Sequence, residues 1–176
     1  MTLEQLAKSE TELYSTILDL QKKEQTEALN EKQRTVFALY RQVHRHYSYL
    51  AKEQEEALKR GLFIQWYACT EPNYLTGIEQ LDEEAEKNII NIVEEKIQNN
   101  TLDSELKWML NYYANWDYVF DRFKNRERLA ELIANRTDGL PIGLVIDKAE
   151  MNKRGQMGIY WNSLNHFTNT ETNASS

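Results

Sequence analysis

Residues 106–123 read LKWMLNYYANWDYVFDRF, a stretch that is apolar and aromatic around most of its helical circumference. At helical spacing it carries two stripes, formed by Met109, Tyr113, Trp116, Phe120 and Phe123 and by Trp108, Tyr112, Asn115 and Val119. Such a helix lies at the centre of a bundle, or it presents a second face to a partner or ligand. We therefore predict a central helix over residues 103–124, with Met109, Leu110, Tyr113 and Phe120 buried.

Three residues of this helix distinguish a helix that is buried in the core from one that carries a binding site. Exposure of Trp108 and Tyr112 would indicate a binding face, because monomers rarely expose a large apolar patch. Asp117 places a carboxylate beside the aromatic rings, where an unpaired charge is costly. We favour a pairing of Asp117 with Arg41 or Tyr40 over a carboxylate with a perturbed pKa in a pocket.

The scarcity of chain-breaking residues extends the helical interpretation to most of the chain. Only six glycines and two prolines occur in 176 residues, and folds rich in β-sheet need more turns than that. We predict an all-α fold, a bundle of about five helices over residues 1–136. For residues 137–167 we predict a loop or short hairpin that packs on the bundle, and for residues 168–176 we predict a disordered tail.

Apolar periodicity and capping signals place the individual helices. A first helix is predicted over residues 2–29 and a long second helix over 31–69, with a turn near Asn30 because their apolar rows are out of phase. The alternative is one continuous helix with a stutter. Pro72 disfavours helical backbone at the residue before it and so ends the long helix. The remaining helices are predicted over 82–99 behind Asp82, over 103–124 behind Thr101 or Asp103, and over 126–136.

The C-terminal part contains the only run that is typical of a β-strand, Leu144-Val145-Ile146. It could pair with Ile159-Tyr160-Trp161 in a hairpin within residues 140–161, although both segments also fit an anchored loop. A two-stranded hairpin is marginal by itself in water, so we expect this irregular or weakly β segment to pack on the helices.

The net charge of −7 narrows the classes of partner. Affinity for nucleic acids and for anionic membranes comes from Lys and Arg, so we expect neither of these partners, whereas a basic protein would fit. No signal-peptide pattern and no apolar span is visible, and Cys69 is the only cysteine. These features predict a cytoplasmic protein.

The sequence lacks the patterns that would support catalysis. His44 and His46 are two residues apart, so on a helix they point about 200° apart and cannot share a metal ion. Cys69 is expected at the C-terminal end of its helix, where the dipole disfavours a thiolate, and we interpret it as a buried structural residue. No phosphate-binding or nucleophile motif occurs. We predict no metal and no cofactor, and a non-enzymatic function is favoured.

Candidate binding residues come from the aromatic segments and from the loop after the long helix. The loop Glu71–Gly77 joins two helices, and loops held by rigid helices often carry function. Alternatively, it only turns the chain and covers the bundle end with Tyr74 and Leu75. The candidate binding residues are Trp66, Tyr67, Glu71, Tyr74, Trp108, Tyr112, Tyr113, Trp116 and Asp117.

Three functions are compatible with these features, in decreasing order of support. The first is a small acidic helical protein that binds another protein, as an adaptor or as an inhibitor or immunity-type partner of a basic protein. The second is a small-ligand binder or enzyme with an aromatic pocket between the long helix and the 103–124 helix. The third is a self-associating structural protein, a homodimer in which the seven-residue apolar rows of the first two helices pair between chains.

Overall fold

The computed structural model describes residues 1–24, 26–136 and 147–164, and in these residues the chain is all-α, as predicted. The helices are α1 (Leu3–Gln21), α2 (Glu27–Leu50), α3 (Glu55–Thr70), α4 (Asn73–Thr76), α5 (Glu83–Gln98), α6 (Ser104–Tyr113), a 3₁₀ helix (Asp117–Phe123), α7 (Glu127–Ala134), α8 (Lys148–Met151) and α9 (Gly155–Ser163). The described part of the chain thus contains more helices than the five expected. None of these helices is both long enough and apolar enough to cross a membrane.

The first three helices pack on one another and bury the apolar rows that periodicity identified. Helix α1 packs on α2, and α2 packs on α3 and α5. Leu6 and Leu13 of α1 and Tyr40, Val43 and Tyr47 of α2 are all buried in one core. The rows that we considered for pairing between chains are therefore used within a single chain.

The turn between the first two helices lies earlier than predicted. Helix α1 ends at Gln21, and α2 begins after Thr26, whose hydroxyl accepts a hydrogen bond from the Leu29 amide (3.3 Å). Asn30 lies inside α2. The phase shift between the apolar rows indicated a break, but in a polar stretch it could not locate the capping residue.

The predicted long second helix is two helices. Helix α2 ends at Leu50, residues 51–53 form a turn, and α3 begins at Glu55. The chain folds back at this turn, so that a Cβ at Gly61 would lie 3.4 Å from the Tyr47 Cβ. No Gly or Pro marks the turn, and the apolar rows stay in phase across it. Only the packing of α3 along α2 distinguishes it from a continuous helix.

The predicted helix over 103–124 is also interrupted. Helix α6 ends at Tyr113, and after a turn at residues 114–116 the chain continues as a 3₁₀ helix. The expected caps are present: the Asp82 and Asp103 carboxylates accept hydrogen bonds from the amides of Ala85 (3.0 Å) and Leu106 (2.6 Å). The predicted burial of the core residues is confirmed for Met109, Leu110, Tyr113 and Phe120.

The predicted hairpin is wrong in its second half, because Ile159, Tyr160 and Trp161 lie in helix α9. Helix α9 packs on α1, and its Met157 and Trp161, four residues apart, enter the core together. The other predicted strand, residues 144–146, and the tail 168–176 lie outside the described residues.

Candidate functional site

Trp66, near the end of α3, lies at the centre of an aromatic cluster. Its buried ring stacks on Tyr113, with 4.7 Å between ring centroids. Four half-buried rings surround it, those of Tyr67, Tyr112, Trp116 and Tyr160. Their centroids lie, in this order, 5.8, 5.8, 5.2 and 5.1 Å from the centroid of the Trp66 ring. We call these four residues the aromatic rim. Aromatic pairs at such distances contribute about 0.5–1.5 kcal/mol each beyond the area they bury.

The aromatic rim is assembled from three parts of the chain that are distant in sequence. Helix α3 supplies Tyr67, α6 and the turn after it supply Tyr112 and Trp116, and α9 supplies Tyr160. The hydroxyls of Tyr112 and Tyr160 form a hydrogen bond of 2.7 Å. The rim therefore depends on the docking of α9 against the rest of the molecule.

The candidate residues divide between the rim, the core and a separate groove. Trp66, Tyr67, Tyr112 and Trp116 meet in the cluster, whereas Trp108 and Tyr113 are buried core residues. Burial of Trp108, at 4% exposure, excludes it from a binding face. Tyr74 is exposed and lines a different groove of about 430 Å³ with residues of α1 and α2.

Asp117 is the first residue of the 3₁₀ helix, and its side chain lies outside what the structure describes. The two partners that we considered for it have other hydrogen bonds. The Arg41 Nε donates to the Gln80 carbonyl (2.7 Å), and the Tyr40 hydroxyl donates to Gln156 Oε1 (2.5 Å).

Sequence reasoning missed Tyr160 because residues 159–161 were interpreted as strand or loop. A signal was present in the sequence: Met157 and Trp161 have the four-residue spacing of one helical face. Three turn signals that contain glycine or proline precede this segment, and they favoured a prediction of turns instead of a helix. The half-buried Tyr160 is the ring that this segment adds to the rim.

Glu71 places a carboxylate beside the aromatic rim. It follows the last residue of α3, and its amide donates to the Tyr67 carbonyl (3.1 Å). Burial, with a smaller contribution from the Glu71 charge, raises the pKa of Tyr67 to about 12. Burial also raises the pKa of Tyr160, to which Glu71 contributes weakly. Aromatic faces, a carboxylate and the C-terminal end of a helix all attract cations.

An acidic groove of about 360 Å³ lies next to the same end of α3. Its lining includes Ala68, Cys69, Ile78, Glu79, Leu81, Glu83, Glu86 and Arg122. Three carboxylates face one guanidinium, so the ionised lining has a net charge of −2. Ile78 and Leu81 are buried beneath it, while Glu79 and Glu83 are exposed. The groove combines an apolar floor with free negative charge at its edge.

Inside the acidic groove, the only cation of the lining is already paired. Arg122 NH1 donates to Glu86 Oε2 (2.9 Å), and its NH2 group donates to Glu86 Oε1. Glu79 accepts a hydrogen bond from the neutral Asn73 amide (3.0 Å), and Glu83 lies 3.8 Å from Lys87 on its own helix. Lys87 lies closer to Glu84 (2.9 Å), so Glu79 and Glu83 are the carboxylates of the lining that are most open to a partner.

Cys69 lies at the edge of this groove and is exposed, so the interpretation of a buried structural cysteine is wrong. It lies in the last turn of α3 and lines the groove. Packing around the thiol, with Arg122 opposing it, raises the pKa of Cys69. The thiol is therefore accessible but not activated as a thiolate.

The second hypothesis requires five residues to converge on a cavity, namely His44, Trp66, Tyr113, Trp116 and Asp117. Four surface grooves formed by described residues have volumes of about 280 to 430 Å³, and none of these grooves is lined by the first four of these residues. His44 is buried, and burial lowers its pKa to about 3, so its ring is a weak base. Within the described residues, no three His, Cys, Asp or Glu side chains are placed to share a metal ion.

The chain matches no protein-family model, no curated protein and no solved structure. Function is therefore inferred from the geometry of the aromatic rim and the acidic groove alone.

Proposed function

We propose that this protein binds another protein by recognising a basic segment at the C-terminal end of α3. The observation that carries the proposal is the acidic groove, whose lining has a net charge of −2 above an apolar floor. This is the first of the functions that the sequence suggested, and the acidic groove supports it.

The groove fits a Lys or Arg side chain better than a fully apolar one. Such side chains lay their methylene stems on apolar surface and keep the charged head near carboxylates. Leu81 and the half-buried Ala68 would contact the stem, and Glu79 or Glu83 would receive the charged head. An arginine would be preferred, because its planar guanidinium pairs with carboxylates in a bidentate manner.

The aromatic rim offers the same partner a second contact. Tyr67 belongs to the rim and Ala68 to the groove, so the two surfaces meet within one turn of α3. A cationic side chain over Tyr67 or Trp116 would gain about 0.5–1 kcal/mol at an exposed site. Glu71 would add charge attraction there. A short peptide segment could therefore occupy both surfaces.

The test uses synthetic peptides that alternate arginine with apolar residues, and identical peptides in which citrulline replaces arginine. Citrulline keeps the shape of arginine and removes its charge. We expect fluorescence anisotropy at physiological salt to show binding of the arginine peptide and little binding of the citrulline peptide. Equal binding of both peptides would contradict the proposal.

Matched protein variants separate a specific groove from general negative charge. The double substitution Glu79→Gln and Glu83→Gln should weaken binding of the arginine peptide about tenfold, since two partly exposed ion pairs are lost. The control is Glu27→Gln with Glu31→Gln, which removes the same charge from exposed positions at the start of α2. Equal weakening by both double variants would mean that only net charge matters.

A further inference from the structure

Glu10 is a buried carboxyl group that joins the first long helix to the last one. Its side chain lies in α1 and is 1% exposed. The Tyr47 hydroxyl donates to Oε1, and the backbone amide of Gln156, in the first turn of α9, donates to Oε2 (3.1 Å). The start of α9 is thus bound directly to a titratable group of α1.

The side chain of Gln156 adds a second bond to α2 and extends the connection to α4. Its Oε1 accepts a hydrogen bond from the Tyr40 hydroxyl of α2 (2.5 Å), and its Nε2 donates to the Thr76 carbonyl of α4 (3.2 Å). Gln156 is 1% exposed, so these bonds are made away from water. Releasing α9 would break all of them together.

Gly155 allows the backbone at the start of α9 to lie close to the Glu10 carboxyl group. Its φ of +62° lies in the left-handed region, and a Cβ at this position would overlap the Glu10 carboxyl group. The backbone of α9 therefore approaches the carboxyl group as closely as a residue without a side chain allows.

The charged and titratable groups around Glu10 leave an ionised carboxylate without a counter-ion of its own. They are Tyr40 and Tyr47 of α2 and Glu56 and Arg60 of α3, with Arg154 before α9 acting on Glu56. Arg60 Nε donates to Glu56 (2.6 Å) and its NH1 to the Leu3 carbonyl (3.1 Å). Arg154 binds Glu56 through two nitrogens and also binds Glu105.

Desolvation is therefore the largest effect on the pKa of Glu10. Burial, opposed by the hydrogen bonds from Tyr47 and Gln156 and by Arg60, raises the pKa of Glu10 from 4.5 to about 7. If α9 left the bundle, Glu10 would face water and regain its ordinary pKa. The Glu10 carboxyl group therefore keeps its proton in the docked state at pH values at which it loses the proton in the released state.

We propose that Glu10 is a proton-controlled latch, which holds α9 tightly on the bundle while its carboxyl group is protonated and weakens the docking of α9 when it ionises. Because α9 supplies Tyr160, release would also open the aromatic rim. The effect on partner binding rests on the proposed function, whereas the release of α9 does not. Docking should weaken by up to about tenfold for each pH unit between about 5 and 7, and level off above.

Hydrogen exchange of the wild-type chain tests the latch directly. Amide protection is measured from about pH 5 to 8 and corrected for the intrinsic exchange rate. We expect protection in α9 to fall as the pH rises, while protection in α5, which packs on α2, α3 and α7, stays constant. Constant protection in α9 would overturn the proposal. A parallel loss in α5 would also overturn it, because it would indicate global unfolding.

Variants identify the group that titrates. Glu10→Gln keeps a hydrogen-bonding side chain and should make α9 protection independent of pH, whereas the exposed control Glu12→Gln should leave the pH dependence intact. Persistence of the pH dependence in folded Glu10→Gln would exclude Glu10. If that variant does not fold, Tyr40→Phe should lower α9 protection at every pH and keep the same slope. Loss of the slope in Tyr40→Phe would contradict the assignment to Glu10.

The arginine peptide connects the latch to binding. We expect its affinity to fall over the same pH range as α9 protection. If the peptide does not bind at any pH, the proposed function fails while the exchange result stands. If the affinity of the peptide does not change when α9 is released, the rim does not contribute to recognition and the functional role of the latch is refuted.

Discussion

Two buried glutamines illustrate how the same residue type can stabilise or destabilise this fold. Gln156 is 1% exposed, and its side chain accepts from Tyr40 and donates to Thr76. Gln65 is 3% exposed, and neither its Oε1 nor its Nε2 has a hydrogen-bond partner. A buried amide that loses its hydrogen bonds to water without replacement costs about 1–3 kcal/mol.

We predict opposite effects for the same substitution at these two positions. Gln65→Met removes the unpartnered amide at similar volume and should raise the free energy of unfolding by about 1 kcal/mol. Gln156→Met breaks two buried hydrogen bonds and should lower it by about 2 kcal/mol. Urea unfolding measures both. Destabilisation by Gln65→Met would mean that its amide is satisfied in solution, for example by an internal water molecule.

Gly155 and Gly61 provide a second contrast, because Ala adds the same methyl group at both. Gly155→Ala should destabilise the protein by at least about 2 kcal/mol, since the positive φ strains a side chain and Glu10 occupies the space. At Gly61 the nearest atom is the end of the flexible Ile89 side chain, at 2.5 Å, so the cost of Gly61→Ala should be smaller. Thermal unfolding of both variants checks the order, and the reverse order would contradict it.

The helices show which features of the fold can be predicted from local sequence. Asp82 and Asp103 were expected to cap helices, and both do, because a cap needs only an acceptor within three residues of the amide. The breaks at residues 51–53 and 114–116 were missed, because neither contains Gly or Pro. They depend on contacts between α2 and α3 and within the aromatic cluster, which periodicity cannot report.

The cap of α5 gives a testable consequence. Asp82 accepts from the Ala85 amide (3.0 Å) and from Arg45 NH2 (2.7 Å), and these bonds, the amide first, lower the pKa of Asp82. Asp82→Ala should cost about 1–2 kcal/mol, whereas Asp82→Asn keeps an acceptor and should cost less. Urea unfolding of both variants checks this. Equal losses would assign the effect to the Arg45 ion pair rather than to the cap.

The candidate site was partly predictable for the same physical reasons. Trp66, Tyr67, Tyr112 and Trp116 were selected because aromatic side chains exceed what one buried stripe needs. The acidic groove was not predicted, because the sequence shows Glu83 only within the acidic run at residues 82–86 and does not place Glu79 beside it. They share a surface only after α3, α4 and α5 have packed, so their relation to Ile78 and Leu81 is a property of tertiary structure.

For the whole molecule, two buried groups with opposite shifts predict a stability maximum at mildly acidic pH. His44 has a pKa of about 3 when buried, so below its ordinary 6.5 the unfolded chain takes up the proton and stability is lost. Glu10 has a pKa of about 7, so its contribution is complete below 4.5 and is lost as the pH rises toward 7. The free energy of unfolding should therefore be highest between about pH 4.5 and 6.5.

Urea unfolding from about pH 4 to 8 tests this maximum, which should be broad, with losses of less than about 1 kcal/mol on either side, because the two shifts offset each other between about pH 4.5 and 6.5. Glu10→Gln leaves only the effect of His44, so stability should rise by about 2 kcal/mol from pH 5 to 7, whereas His44→Leu leaves only the effect of Glu10, so stability should fall by about 2 kcal/mol over the same range. Wild-type stability that rises steadily from about pH 5 to 8 would contradict the assignment of Glu10, because it would require a carboxylate that is ionised in the folded state.

The bond between Glu10 and the Gln156 amide also constrains biosynthesis, since it joins residues 146 positions apart. During translation α1 emerges before α9, which follows on the order of ten seconds later. Throughout that interval Glu10 lacks the Gln156 amide, and Trp66 lacks the ring of Tyr160. The ribosome-bound chain can form its early helices, but it cannot complete its core until α9 has been synthesised.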